Sequence, residues 1–68
     1  MKVGIIGSGG REHALCHALK KSNKIKEIYC FPGNAGTAKI AQNISIDLKD
    51  FYNLKEFIFL KKIDLIVV

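Results

Sequence analysis

Gly7-Ser8-Gly9-Gly10-Arg11-Glu12-His13 holds the residues best suited to chemistry in this 68-residue chain. Three glycines in four positions followed by a guanidinium suit an anion. Backbone N–H groups can approach a phosphate where no side chain intervenes, and Arg11 supplies charge. A cation in the first turn of a helix opposes the macrodipole at a cost of roughly 0.3–1 kcal/mol, which a bound phosphate or carboxylate would offset. The plain alternative for Arg11 is a solvent-facing side chain or a pair with Glu12. Glu12 itself suits a helix N-terminus and is read as a partner of the dipole. A second stretch, Pro32-Gly33-Asn34-Ala35-Gly36-Thr37, repeats the logic, with backbone amides and the Asn34 side-chain amide available to a sugar or phosphate. Alone, the second stretch would be no more than a turn, whereas at the first the three glycines in four positions favour a ligand over a merely tight βα connection. Paired at adjacent strand ends, the two stretches suggest one shared site built from Gly7, Gly9, Gly10, Arg11, Pro32, Gly33 and Asn34.

Other chemistries fit less well. A dinucleotide fingerprint needs G-x-G-x-x-G, and Glu12 stands where its third glycine belongs. The acid that would hold the ribose hydroxyls at the end of the second strand is replaced by Phe31-Pro32. An NAD-dependent oxidoreductase domain therefore remains only an alternative, as does a nucleotide-sensing module that binds without turnover. A P-loop is excluded, because no Gly-Lys-Ser/Thr follows the glycines. His13 and His17 are four apart, but Ala14 follows His13 and no third ligand is evident, so no metal site is assigned. His13 is expected to hydrogen-bond near the loop and His17 to face solvent. No residue is assigned a catalytic role.

These loops need elements to hold them. Lys2–Ile6 reads as a buried strand, and Arg11–Lys21 as a helix with Ala14, Leu15, Ala18 and Leu19 on one face. Ser22-Asn23-Lys24 breaks the chain, and Glu27–Phe31 is a second strand stopped by Pro32-Gly33. A short helical piece, Ala38–Gln42, follows, capped by Asn34 or Thr37. Ile44-Ser45-Ile46 alternates as a third strand. Asp50 is the expected N-cap of a helix that buries Phe51, Leu54, Phe57, Ile58 and the Lys61 stem, with Phe59 off that face. Ile63–Val68 is the fourth strand. Strands alternating with helices give an α/β, Rossmann-like open parallel sheet of about four strands, with ligands at its carboxyl edge.

Composition agrees with a small globular domain: 49% of residues are hydrophobic and 25% charged. The net charge of +5 comes from scattered lysines without an aromatic-interleaved basic stripe, which gives little support to nucleic acid binding. No run is long enough to span a bilayer. Met1-Lys2 passes into a strand with no leader, which points to the cytoplasm. Cys16 and Cys30 form no CxxC pair and are read as free thiols packed as small apolar groups. The chain stops on a buried strand, so residues 1–68 are expected to be the incomplete front domain of a longer protein, of marginal stability alone.

The two motifs together, Gly7-Ser8-Gly9-Gly10-Arg11-Glu12-His13 and Pro32-Gly33-Asn34-Ala35-Gly36-Thr37-Ala38, resemble the start of the glycinamide ribonucleotide synthetases, the phosphoribosylamine–glycine ligases of the ATP-grasp superfamily. Their spacing and the closing Ile63-Asp64-Leu65 extend the likeness over the whole chain. The resemblance implies a ligase of de novo purine biosynthesis that activates glycine as glycyl phosphate with ATP and Mg²⁺ or Mn²⁺, for attack by 5-phosphoribosylamine. It implies that this segment is the N-terminal partner of the ATP-grasp fold and that Gly10 and Arg11, beside Gly9, touch the ribonucleotide. ATP, the metal and most of the glycine site would belong to the rest of the enzyme. This segment alone would bind no cofactor and catalyse nothing.

Overall fold

The computed structural model describes all 68 residues. Two of its strands follow directly from apolar runs, β-branched in the first and mainly aromatic in the second: β1 is Lys2–Gly7 and β2 is Glu27–Pro32. A two-residue β3, Gln42–Asn43, and β4, Leu65–Val67, complete a parallel sheet of order β3-β2-β1-β4. Helix α1, Gly10–Lys20, connects β1 to β2, and α2, Phe51–Leu60, connects β3 to β4. The chain is the expected α/β open sheet. No helix is long and apolar enough to cross a membrane.

Period-two alternation divides the sheet into two faces. Val3, Ile5, Ile28 and Cys30 point to α1 and form the core with Cys16, flanked by Leu15, Leu19 and Val67. Gly4, Tyr29 and Phe31 point to α2, where the Phe57 ring meets Tyr29 and Phe31 edge-on at centroid distances of 5.6 Å each. Gly4 is required there, because a Cβ would lie 2.7 Å from Ile66 and 3.0 Å from the Phe31 ring.

Several local expectations shift. The inward face of α1 carries Leu15, Cys16 and Leu19, while Ala14 and Ala18 are exposed. Cysteine and leucine bury more apolar surface than alanine, so the helix turns them to the sheet. The third strand lies at Gln42–Asn43 rather than Ile44–Ile46. The Asn43 side chain is tied into the second glycine loop, which fixes the register one step early. Ile44 adds one more bond to Cys30 O at 2.8 Å, and the chain then bends away. The piece expected at Ala38–Gln42 is a 3₁₀ turn, Thr37–Lys39. Asp50 caps α2 as expected, its Oδ1 accepting from Asn53 N–H at 3.2 Å. Leu54, Phe57 and Ile58 turn inward, but Phe51 is 75% exposed, lying at the helix start beyond the sheet's cover. Phe59, off the inner face, is exposed.

Candidate functional site at the carboxyl edge

The parallel register places Gly7 opposite Pro32, so both glycine loops leave the sheet side by side at its carboxyl edge. Two direct links join them. Gly33 N–H donates to Gly7 O at 3.0 Å. Asn34 Nδ2 donates to Ser8 O at 2.8 Å and Gly9 O at 3.2 Å.

Asn34 is the hub of a closed network. Its Oδ1 accepts from Thr37 N–H at 2.9 Å, and its own N–H donates to Thr37 Oγ1 at 2.8 Å. Thr37, wholly buried, has Oγ1 within reach of Asn34 O and Asn43 Oδ1, at 3.0 and 2.7 Å. Asn43 Nδ2 donates back to Asn34 O at 2.8 Å. Gly33 adopts φ +77°, and a Cβ there would collide with Asn43 and Thr37. Buried polar atoms in a small domain need partners, and here none is left without one. The expectation that the Asn34 side-chain amide faces a ligand is therefore revised: its hydrogens and oxygen are engaged by protein, and it acts as a brace.

The first loop is organised by Glu12. Gly9 caps α1, and its N–H donates to Glu12 Oε2 at 2.9 Å. The carboxylate fills the position that an anion takes at a helix N-terminus, and its own backbone N–H, Arg11 and the Gly9 N–H hold it below the usual carboxylate range. Gly7 has φ +140°, and a Cβ would stand 2.6 Å from Glu12 Cγ. Arg11 reaches Glu12 Oε1 with Nη2 at 3.1 Å and Nε at 3.3 Å, while its side chain remains 83% exposed. It thus takes both of its plain alternatives, pairing with Glu12 and facing solvent.

Free donors remain. The first backbone bond of α1 runs from His13 N–H to Gly9 O at 3.2 Å, so the amides of Gly10 and Arg11 have no intrahelical acceptor. A Cβ on Gly10 would meet nothing within 4 Å, so this turn is open to an approaching group. The amides of Ser8, Ala35 and Gly36 donate to no protein acceptor. The sequence points to the backbone amides of both loops in general, and to Thr37 only as a possible cap; it gives no sign that Thr37 and Asn43 support the loop. Asn34-x-x-Thr37 carries a local signal for reciprocal side-chain capping, whereas nothing local marks Asn43. The His13 side chain makes no hydrogen bond, contrary to expectation. Its ring packs on Gly36, where a Cβ would sit 2.5 Å from Cε1. His17 is exposed as expected, 6.5 Å from His13 between ring centroids. No cluster of three or more His, Cys, Asp or Glu residues could hold a metal.

The order β3-β2-β1-β4 reverses direction between β1 and β4, and ligands in open parallel sheets bind in the crevice at such a switch. A depression of about 290 Å³ occupies it, bordered by Ile6, Arg11, Glu12, Leu15 and Val68. A larger groove of about 640 Å³ lies along the outer side of α2, between Tyr52 and Ile63. It lies away from both glycine loops, so the smaller depression is the better candidate.

The comparisons with known proteins agree with this fold. The family model described as phosphoribosylglycinamide synthetase, N domain, matches residues 1–68. The chain is 46% identical over 68 residues to a phosphoribosylamine–glycine ligase of Caldanaerobacter subterraneus, covering all of this chain and 16% of that protein. It is 44% identical over 70 residues to the ligase of Escherichia coli, again covering all of this chain and 16% of the relative. The human trifunctional purine biosynthetic protein adenosine-3 is 47% identical over 70 residues, covering 98% of this chain and 7% of that protein. The crystal structure of the Thermotoga maritima ligase superposes with a TM-score of 0.67 at 34% identity, over all of this chain and 16% of that one. The chain thus spans about one-sixth of the length of the ligases it matches. With its family model matched from the first residue to the last, the chain belongs to the phosphoribosylglycinamide synthetase N-domain family.

Proposed function

We propose that this chain is the ribonucleotide-binding part of a phosphoribosylamine–glycine ligase acting in the cytoplasm. In that reaction ATP, with Mg²⁺ or Mn²⁺, activates glycine, and the amine of 5-phosphoribosylamine attacks the resulting acyl phosphate. The ATP, metal and glycine sites lie on the remainder of the enzyme, and residues 1–68 alone are inactive. The sugar phosphate sits at the carboxyl edge. Gly7, Gly9 and Gly10 keep side chains out of its way, the amides of Ser8, Gly10 and Arg11 face it, and the Arg11 guanidinium swings from Glu12 to its charge. Pro32, Gly33 and Asn34 hold the second loop so that the Ala35 and Gly36 amides border the same space. What carries the reading is the Asn34 side chain, which joins the two loops through Ser8 O and Gly9 O. An exposed guanidinium beside open amides supports an anionic ligand.

The test is a chimera in which residues 1–68 replace the corresponding segment of the Thermotoga maritima ligase. Arg11→Ala should raise KM for 5-phosphoribosylamine roughly tenfold to a hundredfold, the worth of a hydrogen bond to a charged group. KM for ATP should not move. Unchanged kinetics for both substrates would remove Arg11 from the site.

A further inference from the structure

Cys16 and Cys30 are separated along the chain, and neither has a motif partner, yet the fold brings their Sγ atoms to 3.6 Å. Cys16 lies on α1, Cys30 lies in β2, and both are wholly buried. Both are free thiols. We propose that this pair is an oxidative modification site: a latent dithiol that a small peroxide closes to a disulfide, stapling α1 to the sheet beneath the candidate ligand loops.

A disulfide bond is about 2.05 Å long, so the sulfurs must approach by roughly 1.5 Å, a distance that side-chain rotation with a slight settling of α1 covers. The elements involved allow that settling. α1 rests on the sheet through Leu15, Cys16 and Leu19, and its alanines face solvent. The chemistry balances with hydrogen peroxide as the two-electron oxidant. Cys30 Sγ attacks one peroxide oxygen and gives up its proton, the O–O bond breaks, and the released hydroxide takes that proton to leave as water. The Cys16 thiol then attacks the sulfenic sulfur, the S–O bond breaks, and the Cys16 proton leaves with a second water. Two thiols and one peroxide yield one disulfide and two waters. Burial and the neighbouring Cys30 push the Cys16 thiol up to about 12.

The consequence concerns the ligand edge. α1 carries Gly10 and Arg11 on its first turn, so a covalent tie one and a half turns below them holds that turn against β2. Closing the ring between residues 16 and 30 also restricts the unfolded chain.

The test treats the reduced, native protein with hydrogen peroxide and reads intact mass, a non-reducing gel and peptide maps. The expected result is a monomer lighter by two hydrogens, with the Cys16 and Cys30 peptides cross-linked. Its melting midpoint should be about 5 °C or more above that of the reduced form, reverting with dithiothreitol. Cys16→Ala and Cys30→Ala should each lose the cross-link, and the wild-type mass measurement stands even if either variant fails to fold. Retention of both hydrogens at a peroxide dose that oxidises a control dithiol peptide overturns the proposal. Disulfide-linked dimers alone, or closure seen only in urea, would overturn it equally.

Discussion

The two ends of the parallel sheet differ in what their polar groups face. At the amino end they face one another. Tyr29 donates its hydroxyl to Glu27 at 2.7 Å, and Lys2 Nζ lies 3.4 Å from the same carboxylate. Lys2 N–H donates to Asp64 Oδ2 and Asp64 N–H returns a bond to Lys2 O, each at 2.8 Å. Met1 donates its amino group to Lys24 O at 2.8 Å. These bonds bind the starts of β1, β2 and β4 together. At the carboxyl end the braces are Asn34, Asn43 and Glu12 around the buried Thr37, while the amides of Ser8, Ala35 and Gly36 find no protein acceptor and the Arg11 side chain is exposed. The contrast separates polar groups that close a fold from those a fold holds open. Only the second kind is available to a ligand.

The comparison can be broken most severely at Gly33. Gly33→Ala places a Cβ in a left-handed conformation and against Asn43, and should cost about 2–4 kcal/mol, read as a lowered denaturant midpoint. A smaller loss would mean that the brace yields. Asn34→Ala should cost about 1–3 kcal/mol, because Ser8 O and Thr37 N–H lose their partner and Gly9 O loses one of two. It should also weaken ribonucleotide binding in the chimera, where the loops would part. If stability falls and binding holds, the brace serves the fold alone.

A pH titration sharpens the contrast from the other side. The carboxyl of Glu12 is depressed in the folded state, so its contribution is present above the ordinary carboxylate range and is lost as pH falls through the lower, folded value. Stability measured by chemical denaturation should therefore decline below about pH 4, and Glu12→Gln should flatten part of that decline. Glu27, at the opposite end, is also held below the usual range, chiefly by the Tyr29 hydroxyl, and acts in the same acid window. The smallest effect is expected for Glu27→Gln at neutral pH: a slight loss of stability and unchanged ribonucleotide kinetics in the chimera. A kinetic effect there would show that the amino end is not merely structural.

Much of the architecture was legible in the residues. Apolar runs, β-branched at Val3–Ile6 and mainly aromatic at Ile28–Phe31, broken by glycine and proline, announce strands whatever lies around them. Asp50 announces a cap, because its carboxylate answers a local N–H. The third strand was misplaced because Ile44-Ser45-Ile46 alternates better than Gln42-Asn43, and alternation is a local quantity. What held Asn43 at the sheet edge was a hydroxyl and a carbonyl from another loop. The inward face of α1 differs from expectation for a related reason: Cys16 is buried among Val3, Ile5, Ile28 and Cys30, which come from two strands distant in sequence.

Sequence by itself determined the two glycine loops, the order of strands and helices, and the family to which they belong. Those features follow from backbone freedom, hydrophobic period and motif spacing, which act within a few residues. The tertiary structure alone decided that Asn34 braces instead of binding, that Glu12 fills its own helix terminus, and that Ser8, Ala35 and Gly36 keep their amides free. Which donor is spent and which is spared depends on acceptors that arrive from distant parts of the chain, and a hydrogen bond is counted only when both partners are in place.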